Sequence, residues 1–178
     1  MRIQGTPEEW LSWLTSSDER KRKEVTLTLG GLIPKDRVPI APLVEALASD
    51  NRDLVFWATI GLGCLGPHAA TAVAPLSRVA HDHPEFGTRQ AAVMALSRIA
   101  PSDPTAKVVV LNALDDSNPF VRREALQALI AFEDLSAEEL GQIKTMEKDP
   151  DEMVARWSEI ALRNIRLREM ERGRRKLS

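Results

Sequence analysis

Apolar positions recur with helical spacing in five stretches of the chain, and these stretches follow each other at an almost constant interval. The fullest copy is VRREALQAL at 121–129. With its first residue as the anchor, the steps between equivalent positions are 33, 34, 33 and 33 residues, and the anchors are Lys21, Leu54, Thr88, Val121 and Val154. In repeat two, positions 54, 58, 61, 62 and 65 fall in one stripe at the helical step of about 100° per residue. Such a period is typical of stacked helical repeats, so the pattern predicts an all-α protein.

Each repeat is predicted to contain two antiparallel helices. The first helices are expected near 7–15, 39–48, 70–81, 104–114 and 136–147, and the second helices near 19–32, 52–65, 86–99, 119–132 and 152–168. Capping signals mark several starts, namely Thr6 with Glu9, Asp103, Asn118, and Ser136 with Glu139. We therefore expect one domain over 1–168, with repeats near 7–33, 38–66, 70–100, 103–133 and 136–168, followed by a basic tail over 169–178.

Composition narrows the class of protein. Hydrophobic residues make up 43% and charged residues 28% of the chain, which excludes wholesale disorder. The formal net charge of −2 provides no global attraction for nucleic acid or an anionic membrane. The single cysteine excludes an internal disulfide framework and favours a reducing compartment. Because no signal segment and no run approaching about 18 apolar residues stands out, we expect a cytoplasmic protein without a membrane partner, as a monomer or weak dimer.

The chain shows no constellation of residues that would carry catalysis. His81, Asp82 and His83 form the only cluster with metal-like composition, and the remaining histidine, His68, lies far away in sequence. Since a metal site needs at least three converging ligands, a solvated turn is favoured. Cys64 has no adjacent basic group and is interpreted as a small hydrophobe. We predict no catalytic residue, no metal, no cofactor and no enzymatic activity.

The family resemblance rests on repeat four. Its first helix ends in LNAL at 111–114, an Asp-rich turn follows, and the next helix carries the pattern Val-Arg-x-x-Ala-x-x-Ala-Leu over 121–129. This pattern resembles the HEAT repeat in its short bacterial form, over roughly residues 7–166. The resemblance implies a right-handed α-solenoid of about five helix pairs. Lys21 and Thr88 depart from it, because both replace the apolar anchor.

The resemblance also implies a role for arginine and aspartate residues around the turns. An arginine follows the anchor in three repeats, at Arg22, Arg89 and Arg122, and aspartates precede the second helices at Asp50, Asp82, Asp116 and Asp149. In HEAT-like stacks such residues connect neighbouring turns, so a structural ladder is expected. Ligand binding is the alternative, because the planar guanidinium suits carboxylates.

In HEAT stacks the second helices line the concave side, and the helical step predicts which residues face it. The candidate binding residues are Lys23, Leu27, Phe56, Ile60, Val93, Met94, Arg123, Leu126, Ile130, Arg156 and Arg163. They form an apolar centre with basic flanks, which predicts a groove for a protein or peptide segment. The alternative is that tight curvature buries the apolar members between helices. Trp57 and Trp157 lie at the flank of the buried stripe and are expected to wedge between repeats.

The predicted function is a non-enzymatic scaffold for a peptide or protein partner. Nucleic-acid binding, as in HEAT-like DNA glycosylases, is the alternative, but only four of the candidate residues are basic. Bilin-attachment lyases carry related repeats, and no feature of the sequence selects that activity. The basic tail is interpreted as a solvated extension of the last helix that frays after Gly173, with contact to an anionic partner as the alternative.

Overall fold

The computed structural model describes residues 9, 12, 13, 16, 18, 20–22, 25, 38 and 40–175. Eight α-helices lie within 40–175: α1 Ile40–Ala46, α2 Arg52–Leu65, α3 Val73–Asp82, α4 Phe86–Ile99, α5 Pro104–Asn112, α6 Pro119–Leu129, α7 Ala137–Thr145 and α8 Glu152–Arg175. Short 3₁₀ segments follow α2, α5 and α7. No strand occurs among the described residues. The predicted all-α fold with alternating first and second helices is confirmed.

Most of the first repeat lies outside the described residues. Within it, positions 9, 12, 13, 20–22 and 25 are helical, in agreement with the two predicted helices. Val25 is 1% exposed and belongs to the same core as the later repeats. Lys23 and Leu27, both candidate binding residues, and the Thr6 cap lie outside the described residues.

Side-chain caps begin the helices where the sequence predicts. The carboxylate of Asp103 accepts hydrogen bonds from the backbone N–H groups of Thr105 and Ala106, and Asn118 caps α6 through its side-chain oxygen. Ser136 and Glu139 form the predicted reciprocal capping box at the start of α7. Each of these caps satisfies backbone donors that a helix start leaves without an intrahelical acceptor.

Several helix boundaries differ from the predicted ones by one to three residues, and the end of α8 differs by seven. The helix expected from residue 70 begins at Val73, because residues Gly66–Ala72 form a 3₁₀ segment after Gly66, whose φ is +59°. The last helix continues to Arg175, so the predicted boundary at 168 falls inside α8. This continuation agrees with the expected extension of the last helix past residue 168. Arg168 donates through its guanidinium to the carbonyl oxygens of Ile130 and Phe132 beyond the end of α6.

The second helices pack closely against each other along the stack. The pairs α2/α4, α4/α6 and α6/α8 make extensive contacts, whereas the first helices α3 and α5 touch much less. Where α2 approaches α4, a Cβ built on Gly63 would lie 3.1 Å from Cβ of Ala95. Helices on the inside of a curved stack lie closer together than those on the outside. The second helices therefore line the inner side.

One helical segment, Arg52–Asp82, is long and apolar enough by composition to cross a membrane, with a mean hydropathy of 1.2 in its most apolar window. This corrects the expectation that no stretch approaches such a length. The segment comprises α2, the 3₁₀ segment and α3, and half of that window is buried inside the fold. Its apolar side chains, including Leu62 and Leu76, form the core of repeats two and three.

Candidate functional site

One side of each second helix is covered by the following repeat. The residues five positions after the anchor, Thr59, Val93 and Leu126, are all 0% exposed. Thr59 lies one helical turn before Gly63, which approaches Ala95 of the next repeat. The prediction that Val93 and Leu126 contact a ligand is therefore wrong. For these two residues the alternative, burial between neighbouring repeats, is the one observed.

The same side is open at the last repeat, because no repeat follows it in the described chain. There it carries Glu159, Arg163 and Arg166, which are all exposed. Arg163 therefore lies on the end of the stack and not in a groove between second helices. Ile130, the equivalent residue one repeat earlier, is half-buried against the core.

A different set of residues faces the inner side. It comprises the positions two and six residues after each anchor, and in repeats two to five these are Phe56, Ile60, Gln90, Met94, Arg123, Gln127, Arg156 and Ile160. We call this set the inner surface. Five of the predicted binding residues belong to it: Phe56, Ile60, Met94, Arg123 and Arg156. All eight side chains are half-buried or exposed.

The inner surface is mainly apolar at one end, and its other end carries two arginines beside Gln127 and Ile160. Phe56, Ile60 and Met94 come from α2 and α4, whereas Arg123 and Arg156 come from α6 and α8. Within the described part of the chain neither arginine forms an ion pair. The neighbouring carboxylate of the buried Glu124 accepts a hydrogen bond from Gln90 at 3.2 Å and so connects α4 with α6. Two arginines that form no ion pair among the described residues thus lie beside an apolar surface.

An aromatic cluster that the sequence did not predict lies at the edge of the inner surface. The rings of Phe86 and Phe120 stack with their centroids 5.9 Å apart, although the two side chains are 43% and 50% exposed. Phe86 lies two residues before its anchor, and Phe120 lies one residue before its anchor. At about 100° per residue, this difference points the Phe86 side chain towards repeat four and the Phe120 side chain back towards repeat three, where the two rings meet. Met153 occupies the position of Phe120 in repeat five and is also 50% exposed. The available signal was a large apolar residue just ahead of three successive anchors.

The predicted ladder of arginine and aspartate residues is confirmed between repeats three, four and five. Arg89 donates from Nε and Nη2 to Asp116 at 2.7 and 2.8 Å, and Arg122 donates to Asp149 at 2.8 Å in both bonds. In each case the arginine belongs to one repeat and the aspartate to the turn of the next. Repeat two lacks this arginine, and the aspartate that it would meet, Asp82, is exposed. These pairs are structural contacts between repeats.

Charge and hydrogen bonding shift the pKa values of these groups. Burial by itself raises the pKa of Asp149 and of Asp116. The hydrogen bonds from Arg122 and Arg89, together with backbone N–H donors, outweigh burial and hold both pKa values below their usual range. The same balance lowers the pKa of Glu139, which accepts from the backbone of Ser136 and from Lys107. Three carboxylates therefore stay ionised because each is held by a specific donor set.

The remaining residues that the sequence singled out do not belong to the inner surface. His81 contacts the carboxylate of Asp82 at 2.6 Å, and both residues are exposed at the C-terminal end of α3 and not in the predicted turn. Among the described residues no group of three or more potential ligands converges on a metal position. Cys64 is half-buried. Trp57 and Trp157 pack partly buried against the core.

Comparison with known structures places the fold. The Nostoc sp. PCC7120 phycocyanin lyase complex of CpcE and CpcF contains a chain with a TM-score of 0.74 and 17% identity, covering 87% of this chain and 96% of that one. A designed armadillo repeat protein in complex with a (KR)4 peptide has a TM-score of 0.58 and 16% identity, and the match covers 88% of this chain and 80% of that one. An engineered protein has a TM-score of 0.62 and 21% identity, and the match covers 91% of this chain and 80% of that one. At these identities the likeness concerns the fold. No sequence among the curated proteins matches the chain.

A family model supports the same assignment from the sequence. The model for HEAT repeats matches residues 7–97, 40–130 and 73–163. Successive matches begin 33 residues apart, since 40 − 7 and 73 − 40 are both 33, which equals the period of the anchors. Together the matches cover all five repeats. The chain is a helical repeat scaffold and belongs to the HEAT-repeat family.

Proposed function

We propose that this chain is a non-enzymatic scaffold that binds an acidic, partly apolar protein segment on its inner surface. The observation that carries the proposal is the combination of an accessible apolar surface with Arg123 and Arg156, two arginines without an ion-pair partner in the described structure. A surface of this kind supplies both parts of a peptide-binding groove: apolar area for anchor side chains and charged groups that orient the bound chain.

The apolar contribution comes from Phe56, Ile60, Met94 and Ile160. Each is half-buried, so each side chain is held by its neighbours while part of its surface remains in water. Covering this remaining area would contribute favourably in proportion to the apolar surface removed from water. Because the side chains are already partly ordered, little additional conformational entropy is lost when a partner binds.

The arginines determine the sign of charge that the surface prefers. A guanidinium pairs with a carboxylate through two parallel hydrogen bonds. Arg123 and Arg156 lie at equivalent positions of neighbouring repeats, so they favour a segment whose acidic side chains are spaced like the two arginines. The designed armadillo protein with a similar fold binds a basic peptide. On the inner surface of this chain a basic peptide would meet like charges, and therefore we propose the opposite selectivity.

The test is peptide selection with a matched control. A random 12-residue phage-display library is panned against the wild-type chain and against Arg123→Glu/Arg156→Glu. The control is Arg78→Glu, which reverses an exposed arginine on α3, outside the inner surface. We expect wild type to enrich peptides with acidic and apolar residues. The double reversal should weaken the enriched peptide by on the order of ten-fold or more, and Arg78→Glu by less than about two-fold.

Two results would contradict the proposal. One is the failure of the wild-type chain to enrich any acidic peptide. The other is tight binding of duplex DNA that falls steeply with salt, as counterion release requires, since that behaviour belongs to a nucleic-acid-binding protein. Circular dichroism of each variant checks that the repeats remain folded.

A further inference from the structure

The aromatic cluster at the edge of the inner surface contains a positioned cation. The guanidinium carbon of Arg123 lies 5.4 Å from the centroid of the Phe120 ring, and Phe120 in turn stacks on Phe86. The three side chains come from two neighbouring repeats. Both rings keep roughly half of their surface in water, so the cluster is accessible from the inner side.

This arrangement prepares Arg123 for a particular kind of ligand. A guanidinium held near an aromatic ring is attracted to the ring face, while its N–H groups point outwards from its edge. The ring also restricts the flexible side chain before a ligand binds, so less entropy is lost on pairing. A carboxylate that reaches Arg123 is therefore brought beside exposed aromatic surface.

We infer that Phe86, Phe120 and Arg123 together recognise a peptide module in which an acidic residue lies beside an aromatic or large aliphatic residue. This inference rests on the proposed function and specifies the segment that the inner surface selects. The carboxylate pairs with Arg123, and the apolar neighbour covers the exposed faces of the two phenylalanines. Phe120 acts as a positioning residue, because it holds Arg123 as well as contacting the apolar side chain.

The flanking residues limit where this module binds. Between repeats two and three the corresponding edge carries an exposed ion pair, Arg52 with Glu85 at 2.5 Å, and therefore offers no apolar platform. Towards repeat five, Met153 continues the apolar edge. The apolar residue of the module accordingly lies over repeats three to five, on the same side as Arg123.

The test measures the peptide enriched by the wild-type chain, labelled with fluorescein, by fluorescence anisotropy against single variants. Phe120→Leu keeps an apolar side chain but removes the ring, and Arg123→Lys keeps the charge but removes the planar guanidinium. We expect each to weaken binding by about three-fold to ten-fold, in line with cation–π and bidentate contacts. The double variant should be little weaker than the worse single variant, because the two residues act as a unit.

A second peptide and a control variant identify the cause. Replacing the apolar residue of the peptide module with alanine should weaken the binding of the peptide to wild type. The same replacement should remove most of the difference in affinity between wild type and Phe86→Ala. The control is Val108→Ala, which trims a 51% exposed apolar side chain on α5 and should leave the affinity unchanged within about two-fold.

The outcomes separate this inference from the proposed function. If Arg123→Glu/Arg156→Glu abolishes binding but Phe86→Ala and Phe120→Leu have no effect, the aromatic module is refuted and the acidic-peptide scaffold stands. If wild type enriches no acidic peptide, both fail. If Phe120→Leu weakens peptides with and without the apolar neighbour equally, Phe120 only positions Arg123 and the paired recognition is refuted.

Discussion

The ion pair between Arg122 and Asp149 offers the sharpest test of how the repeats hold together. The two side chains are only 13% and 5% exposed, and they join repeat four to repeat five through two hydrogen bonds of 2.8 Å. Substitution of Arg122→Ala leaves Asp149 with the backbone N–H of Asp151 as its remaining donor, in a site that water reaches poorly. We expect this change to lower the free energy of unfolding substantially.

The magnitude follows from burial. Breaking a buried ion pair by removing one partner costs roughly 3–5 kcal/mol, and because Arg122 is slightly exposed we expect about 3 kcal/mol. The pair of Arg52 with Glu85 is the matched control, because it also joins neighbouring repeats but its side chains are 64% and 50% exposed. Exposed pairs contribute about 0–1 kcal/mol, so Arg52→Ala should cost under about 1 kcal/mol.

The assay is urea denaturation followed by circular dichroism, with a double-mutant cycle for each pair. The cycle for Arg122 and Asp149 should give a coupling energy of about 2 kcal/mol, and that for Arg52 and Glu85 under about 0.5 kcal/mol. Equal losses in the two single variants, or no coupling between Arg122 and Asp149, would refute the idea that the ladder joins the repeats energetically.

The same pair has a predictable pH dependence. Because Arg122 and the backbone hold the folded-state pKa of Asp149 below its unfolded value, the stabilisation is complete above the unfolded pKa of about 3.9 and is lost as the pH falls through the folded pKa. The difference between wild type and Arg122→Ala should therefore be largest near neutral pH and shrink below about pH 4. A difference that grows on acidification would contradict this sign.

Three further predictions concern packing and capping, each measured as a change in the free energy of unfolding by urea denaturation. Gly63→Leu should lower the free energy of unfolding by at least about 2 kcal/mol, because the new side chain meets Ala95 of the next repeat. Gly87→Leu is the control and should be nearly neutral, since no atom lies within 4 Å of a Cβ built there. Equal effects of the two changes would contradict the close approach of α2 and α4. Leu126→Ala should cost about 2–5 kcal/mol, since its side chain is fully buried, and a loss under about 1 kcal/mol would show that this position is accessible after all. Ser136→Ala removes one half of the capping box and should cost about 1 kcal/mol; no loss would mean that the cap does not stabilise α7.

The repeats themselves are local enough to be predicted from the sequence. Caps such as Asp103 and Ser136 act on backbone groups two or three residues away, so their effect is visible in the sequence alone. The sequence also predicts that the last helix extends past residue 168, but it does not show what the extension contacts. Arg168 donates to carbonyl oxygens of Ile130 and Phe132, more than thirty residues earlier in the chain, and only the tertiary structure shows such a contact.

The candidate site was only partly predictable for a related reason. A helical wheel separates the buried stripe from the opposite side, but it does not show how far the next repeat covers the flank. Val93 and Leu126 resemble surface anchors by spacing, yet close packing of successive second helices leaves them fully buried. Phe86 and Phe120 precede the first buried position of their helices, and only the juxtaposition of two repeats brings their rings together.

The periodic spacing of small and apolar residues by itself determined the helix pairs and their order, because each helix depends on neighbours within one repeat or on the same position one repeat later. The ladder of arginine and aspartate residues was expected only from the resemblance to HEAT repeats. Tertiary structure alone decided which helix flank is exposed and which side chains from different repeats meet. Solvent access depends on the distance between packed helices, and that distance is set by contacts such as Gly63 with Ala95, which involve two repeats at once.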